Sequence, residues 1–533
     1  MTIKDTMQFV EFNTFYSEYA PLTPYGLMDK NKYHVFTDKE MLISVYNSIG
    51  KIVNFINENS FQSDKIEHHL KRISHLNTFE RKIFDSSDIF LVKKLLVNFK
   101  SIVKLLNDAI KEDLQISFLS EELLIFLSYG GANKETFYLS EEYNDELAEN
   151  RKKIAETDKF LAEIKKERFQ EILEQHSLDF RFRDFIIASE NITNNFSSEL
   201  IYKEVYDKTS LLLKPILPKE YFDLHKKREA LLLEEHKLEQ EVLMTISEKI
   251  LAEKAAIIDY INKIVLLDTL FAKSRMAIKY TMIAPVLIDK NATIAIVNGQ
   301  YLPLANKCAK TDTIYTPLNA EFDDKTCVIT GSNMGGKTVL LKTIGFMQLL
   351  AQMGFWVPAQ KFKTSVFENI HYIGEDLSEK IEGLSSFGFE IYNLTKAIND
   401  FGTNTLLLID EFAKTTNAIE AKAIIAAMLK SFSQKETVWS FVSTHFMELP
   451  EFEKVSFYKM KGLDYSEYMK YYNKEQQYSL RERIKLINTF MRFEIIKTDH
   501  KDRTYDAIKI AEILGLNDEI IKYTKAYLSE NYD

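Results

Sequence analysis

The sequence predicts an α + α/β protein, with a helical first half and a second half in which strands alternate with helices. Three observations predict it. No glycine occurs between Gly131 and Gly299, and no proline between Pro218 and Pro285. A chain without these breakers and rich in Leu, Glu and Lys forms long helices. From about residue 280 short β-rich runs appear, the later ones separated by helical stretches, as in an α/β sheet. Finally, an apolar strand, a glycine-rich loop and an apolar helix follow one another over 327–350.

Taken in order, residues 1–140 read as a helical core, for example over Glu40 to Asn57 and Asp88 to Lys111. Residues 141–217 read as a reduced helical arm. The charged helix Glu142 to His176 has few bulky apolar positions, and the strand-like run Phe182-Arg-Asp-Phe-Ile-Ile-Ala188 interrupts the helices. Residues 218–278 read as lever helices: Tyr221 to Leu267 reads as one long helix, with Leu231, Leu238, Val242, Ile246 and Ile250 on one face. By itself that face favours a long helix packed in a bundle over a lever running into the second half. Residues 279–533 hold the β-rich runs Pro285–Ile288, Thr293–Val297, Cys327–Thr330, Thr405–Ile409 and Val438–Val442.

The 533 residues exceed one compact core and imply several domains. A net charge of -10 argues against a chain devoted to nucleic acid, although it permits a local basic patch. Two cysteines, Cys308 and Cys327, allow neither a disulfide framework nor a cysteine-based zinc site, which fits a reducing cytoplasm. The start, Met1-Thr-Ile-Lys-Asp5, lacks the pattern of a signal peptide. The most apolar stretch, Thr338 to Pro358, carries Lys342, Gln348 and Gln352, so it reads as a buried helix and no membrane partner is expected. His68 and His69 are adjacent and diverge on a helix, which makes them a poor metal pair.

The chemistry gathers in three segments. Gly331-Ser332-Asn333-Met334-Gly335-Gly336-Lys337-Thr338 matches the P-loop pattern in the expected strand–loop–helix context. Its glycines let backbone N–H groups turn toward phosphate, and the helix N-terminus adds a positive dipole end. Lys337 reaches the β- and γ-phosphates of ATP, and the Thr338 hydroxyl ligates Mg²⁺. Leu406-Leu-Leu-Ile-Asp410-Glu411 is an apolar strand ending in two acids. Asp410 holds Mg²⁺ through water, and Glu411 activates the attacking water. After the next strand comes Thr444-His445, whose imidazole senses the γ-phosphate or orients water.

These residues resemble the MutS family. The Asn-Met-Gly-Gly core of the loop looks like the MutS P-loop, and Val357-Pro-Ala-Gln360 follows it as in that family. Gly383-Leu-Ser385-Ser386-Phe387, with Glu390 after it, is similar to the MutS signature segment, which reaches the ATP of the partner subunit. Tyr505 to Leu516 resembles the C-terminal helical segment used in dimerisation, and Leu267 to Ala272 the junction of lever helices and ATPase. The resemblance implies an ABC-like ATPase that works as a dimer, with Ser385 completing the partner's site. There are departures. Phe412-Ala-Lys-Thr-Thr-Asn417 stands where MutS carries Gly-Arg-Gly-Thr, and Gln300-Tyr-Leu-Pro303 where it has Arg-His-Pro. Around Thr313-Ile-Tyr315 the adenine-stacking aromatic is replaced, with Tyr315 as the candidate substitute. The mismatch-reading and connector domains have no counterpart, and Phe9-Val-Glu11 matches the wedge tripeptide as chance allows among 37 phenylalanines.

Two client classes stay open. The Leu22-Thr-Pro-Tyr-Gly26 start, the shortened middle and Met491-Arg-Phe-Glu-Ile495 look like the short MutS-like ATPases of the lysine 5,6-aminomutase reactivase. That resemblance implies a protein client, exchange of damaged cobalamin on it, and a homodimer or a hetero-oligomer with a small second subunit. The alternative is a DNA clamp for mismatched or branched duplexes, gripping near Lys203 to Lys219. The charges there are mixed, without a dense basic stripe.

Overall fold

The structure is a computed structural model. It describes residues 3–76, 79, 82–131, 137–193, 196–288, 293–311, 313–332, 334–374, 385–446, 448–471, 478–498 and 506–532. The chain divides into two compact units. One comprises Met1–Glu67, Leu105–Ile116 and Lys263–Asp533, the other His68–Lys104 and Ser117–Asn262.

The second unit is dominated by two long helices, Asp145–His176 and Lys219–Ala252. At 1.5 Å per residue each is about 50 Å long. Arg151 bonds Glu235 (2.8 Å) and Glu239 (2.7 Å), and Arg228 pairs with Asp158 further along. Advancing on one helix means receding on the other, so the pair is antiparallel. Asn144 starts the first helix by accepting from the N–H groups of Glu146 and Leu147. Between the helices lies a three-stranded antiparallel sheet in the order Ile186–Ser189, Ser210–Pro215, Ile201–Val205. Its inner face packs Ile201 and Leu213 with Phe169, Ile172 and Phe180 from the first helix and its exit. Only the first of these three strands was expected from the sequence. The stretch read as one helix from Tyr221 to Leu267 is two, since Lys219–Ala252 ends at Glu253 and Lys254–Lys279 follows.

The first unit holds a six-stranded sheet in the order Met491–Lys497, Val455–Leu463, Thr326–Thr330, Val438–Ser443, Thr405–Asp410, Asn369–Ile373. The last five are mutually parallel, and Met491–Lys497 is an antiparallel edge. The strands reaching the site are almost wholly buried, which explains their unbroken apolar runs. A second sheet, in the order Val286–Leu287, Lys361–Thr364, Ile294–Gly299, Leu318–Phe322, completes the β-structure of this unit among the described residues.

Helix Lys337–Gln352 is buried on nearly every side, at 13 of its 16 residues. Its far end is tied to distant parts of the chain. Tyr46 Oη donates to Ala351 O (2.7 Å), and Lys273 Nζ to Met353 O (2.8 Å). The first residues of the chain pack on the same sheet. Thr6 Oγ1 donates to Ile370 O, and Phe9 stacks on Tyr372 at 3.8 Å between ring centroids. Phe9 is therefore a core side chain, and Glu11 pairs with Lys342, so the Phe-Val-Glu tripeptide is no exposed wedge. Asp268, buried in helix Lys254–Lys279, accepts from the N–H groups of Leu22 and Thr23 and from the Thr23 hydroxyl. Two segments singled out separately in the sequence, Leu22–Gly26 and Leu267–Ala272, thus meet at one carboxylate.

Candidate nucleotide site

The site sits where the parallel strands end. Strand Thr326–Thr330 runs out at Gly331, which has φ +140°, and helix Lys337–Gln352 starts after Gly336, which has φ +91°. A side chain at either glycine would be strained. At Gly336 an added Cβ would also come within 3.1 Å of the Phe493 ring. The loop folds on itself, with Gly335 N–H donating to Ser332 O (2.9 Å). Met334 is exposed, and Asn333 lies outside the described residues.

Lys337 is the first residue of the helix and only 3% exposed. Its ammonium donates back into the loop, to Gly331 O (2.9 Å) and Ser332 O (3.1 Å), and faces Glu411 Oε1 at 3.4 Å. Burial lowers its pKa, against the pull of the Glu411 and Asp410 carboxylates. One residue on, Thr338 Oγ1 donates to Asp410 Oδ2 (2.9 Å), while Ser443 Oγ donates to Asp410 Oδ1 (2.5 Å). Burial raises the Asp410 pKa, and the two hydroxyls counter it. Glu411 has φ +48°, and its N–H donates to both O (3.2 Å) and Oγ (3.1 Å) of Ser443.

The strand order explains this convergence. Val438–Ser443 lies between the strand ending at Thr330 and the strand ending at Asp410, and Ser443 is opposite both Ile329 and Asp410. His445 follows two residues later with its ring exposed. Lost hydration lowers its pKa, Glu411 opposes this, and the charges of Lys337 and Lys414 add to it.

A divalent cation fits the oxygens present. The Thr338 hydroxyl would hold it directly, and the Asp410 carboxylate, 2.9 Å from that hydroxyl, through water. Among the described residues no three His, Cys, Asp or Glu side chains gather to hold a metal unaided, so the remaining ligands would be water and phosphate. Inside the loop, Ser332 Oγ is buried without a hydrogen-bond partner among the described residues, as suits a group awaiting a phosphate oxygen.

The other expected residues fall as follows. Ser385 is exposed and caps helix Ser386–Ile398, accepting from Gly388 N–H at 3.1 Å. Gly383 and Leu384, which precede it, lie outside the described residues, as does Tyr505 before helix Asp506–Leu514. Tyr315, the candidate adenine contact, is half-buried. Its hydroxyl accepts from Tyr301 N–H (2.7 Å), and the exposed neighbour is Ile314. Sequence reasoning missed Ser443 and Phe493. The first belongs to a Ser-Thr-His run at a strand end, which was a usable signal. The second is brought to Gly336 by an edge strand more than 150 residues away.

Residues 327–530 match the family model for MutS domain V. The chain is 25% identical over 469 residues to the Endonuclease MutS2 of Caldanaerobacter subterraneus, covering 87% of this chain and 53% of that protein. It is 35% identical over 230 residues to that of Alkaliphilus oremlandii (41% of this chain, 28% of the relative) and 29% over 321 residues to that of Finegoldia magna (59% and 37%). The chain thus spans about half, or less, of the length of these relatives. Residues 327–530 are thus similar to MutS domain V, and most of the chain is similar to MutS2 proteins.

Proposed function

We propose that this chain is a Mg²⁺-dependent ATPase of the MutS kind, working as a dimer. The observation that carries the reading is the meeting of Lys337, Thr338, Asp410 and Glu411 at one strand end, within 2.9 to 3.4 Å of one another in pairs. When ATP enters, Lys337 exchanges its loop carbonyls for β- and γ-phosphate oxygens, and the loop N–H groups take the rest of the charge. Bound Mg²⁺ supplies neutralisation of the phosphate charge next to Thr338 and Asp410. Glu411, released from Lys337, accepts the proton of the attacking water as its oxygen bonds the γ-phosphorus and the bridging bond to ADP breaks, giving ADP and inorganic phosphate. His445 orients that water or reads the γ-phosphate. Ser385 of each chain completes the partner's site.

For the client, we favour a protein, as the resemblance to the aminomutase reactivase implies. The arm supports this reading. Around its small sheet Arg181 pairs with Asp179 and Lys214 with Glu204, while Phe182 (91% exposed), Val205 and Tyr206 face solvent. Cations spent on neighbours and bare apolar groups suit a protein surface better than a polyphosphate. The relatives are Endonuclease MutS2 proteins, and that name favours the second reading, a DNA client.

ATPase rate measured against protein concentration, with duplex or branched DNA or with an inactivated aminomutase plus fresh adenosylcobalamin, separates them. Lys337→Ala is the control without turnover. Stimulation by the mutase alone supports the reactivase reading, and stimulation by DNA alone replaces it with the DNA clamp. A wild-type rate in Lys337→Ala sinks the site assignment itself.

A further inference from the structure

The segment after Asp410 is held in an unusual shape. Glu411 (φ +48°) and Ala413 (φ +60°) both occupy the left-handed region, although neither is glycine. Such backbone persists only where its surroundings fix it. One anchor is the Glu411 N–H on Ser443, described above. The other is Ala413 N–H, which donates to Glu390 Oε2 at 2.7 Å. Glu390 is 2% exposed, a position carboxylates rarely occupy without hydrogen-bonded partners. It lies on helix Ser386–Ile398, whose Phe387, Ile391 and Leu394 pack in the same cluster as Phe412 and Ala413. The helix therefore presses its i, i+3, i+4, i+7 face onto the turn that carries Glu411.

We propose that Glu390 is a positioning residue: its carboxylate holds the Glu411–Ala413 turn and so aims the Glu411 carboxylate at the attacking water. This rests on the ATPase reading above.

The test compares Glu390→Gln, whose amide oxygen can still accept the Ala413 N–H, with Glu390→Ala, which has no acceptor. Turnover, affinity for a fluorescent ATP analogue, and hydrogen exchange of the 411–414 amides are measured in each. A misplaced base predicts that Glu390→Ala loses about 10²-fold in kcat while nucleotide affinity stays within about threefold. Exchange at Ala413 should accelerate, and Glu390→Gln should restore both. If Glu390→Ala does not fold, Glu390→Asp, which withdraws the acceptor by one methylene, should show the same kcat-selective loss. Wild-type turnover in Glu390→Ala, or in Glu390→Asp where that variant stands in, overturns the proposal. So does a parallel fall of turnover, affinity and Tm, the mark of a merely structural group. A wild-type chain that binds MgATP without hydrolysing it would overturn the ATPase reading as well, which keeps the two failures apart.

Discussion

The Asp410 carboxylate ends a buried strand with the hydroxyls of Ser443 and Thr338 beside it. Burial raises its pKa above the ordinary 3.8, so without a cation the charged form is less favourable folded than unfolded. The stabilising contribution of this group is therefore complete below that value and is lost as pH rises through the folded pKa. Asp410→Asn cannot ionise, so its Tm advantage over the wild type should grow as pH rises above about 4 and vanish below it. A Tm difference independent of pH in metal-free thermal scans would refute this. Mg²⁺ should add to the stabilisation by ADP in the wild type and add less in Asp410→Asn. Lys337, Thr338, Asp410 and Glu411 were legible in the sequence because each lies in a local pattern. Glu390 was read only as part of the signature segment, Ser443 was passed over in its Ser-Thr-His run, and Phe493 left no local signal, because strand pairing and helix packing assign their contacts.

The junction of Leu22–Gly26 with helix Lys254–Lys279 is a close approach of backbone to a buried carboxylate. A Cβ at Gly26 would lie 2.3 Å from Asp268 Oδ2 and 2.7 Å from Pro21 Cβ. Gly26→Ala should therefore destabilise the chain by about 1–3 kcal/mol, read as a lowered denaturation midpoint with an unchanged slope. A neutral substitution would show that the loop can retreat. Long helices such as Lys39–Glu58 and Asp145–His176 were readable from the absence of breakers and from composition. The segment read as continuous from Asp88 to Lys111 breaks where Asn107 accepts from Ile110 N–H and starts the new helix Asp108–Leu114. The break at Glu253 carries no such mark. Strands Ile201–Val205 and Ser210–Pro215 were hidden for another reason. They are short, partly exposed, and stable only against the far end of a long helix.

At the scale of the molecule, the proposed dimer has a direct test. Lys337→Ala and Ser385→Ala damage different halves of a composite site, one in its own chain and one in the partner's. Mixed in equal amounts, two nearly inactive variants should regain about a quarter of wild-type turnover, since half of the dimers are mixed and each carries one intact site. A mixture as slow as its components would show that Ser385 does not act in trans. The division into a largely helical first half and a strand-bearing second half was legible from glycine and proline placement together with the β-rich runs. Spatial membership was not, because residues 3–67 belong with the large sheets. Phe9 on Tyr372 and Thr6 on Ile370 illustrate a consequence for how such chains can be recombined. A gene fragment cut where the helices give way to strands would leave behind the aromatic plug of its own sheet. The strand-bearing half is not a cassette to be transplanted whole, and a graft onto another scaffold has to carry the opening of the chain along with it.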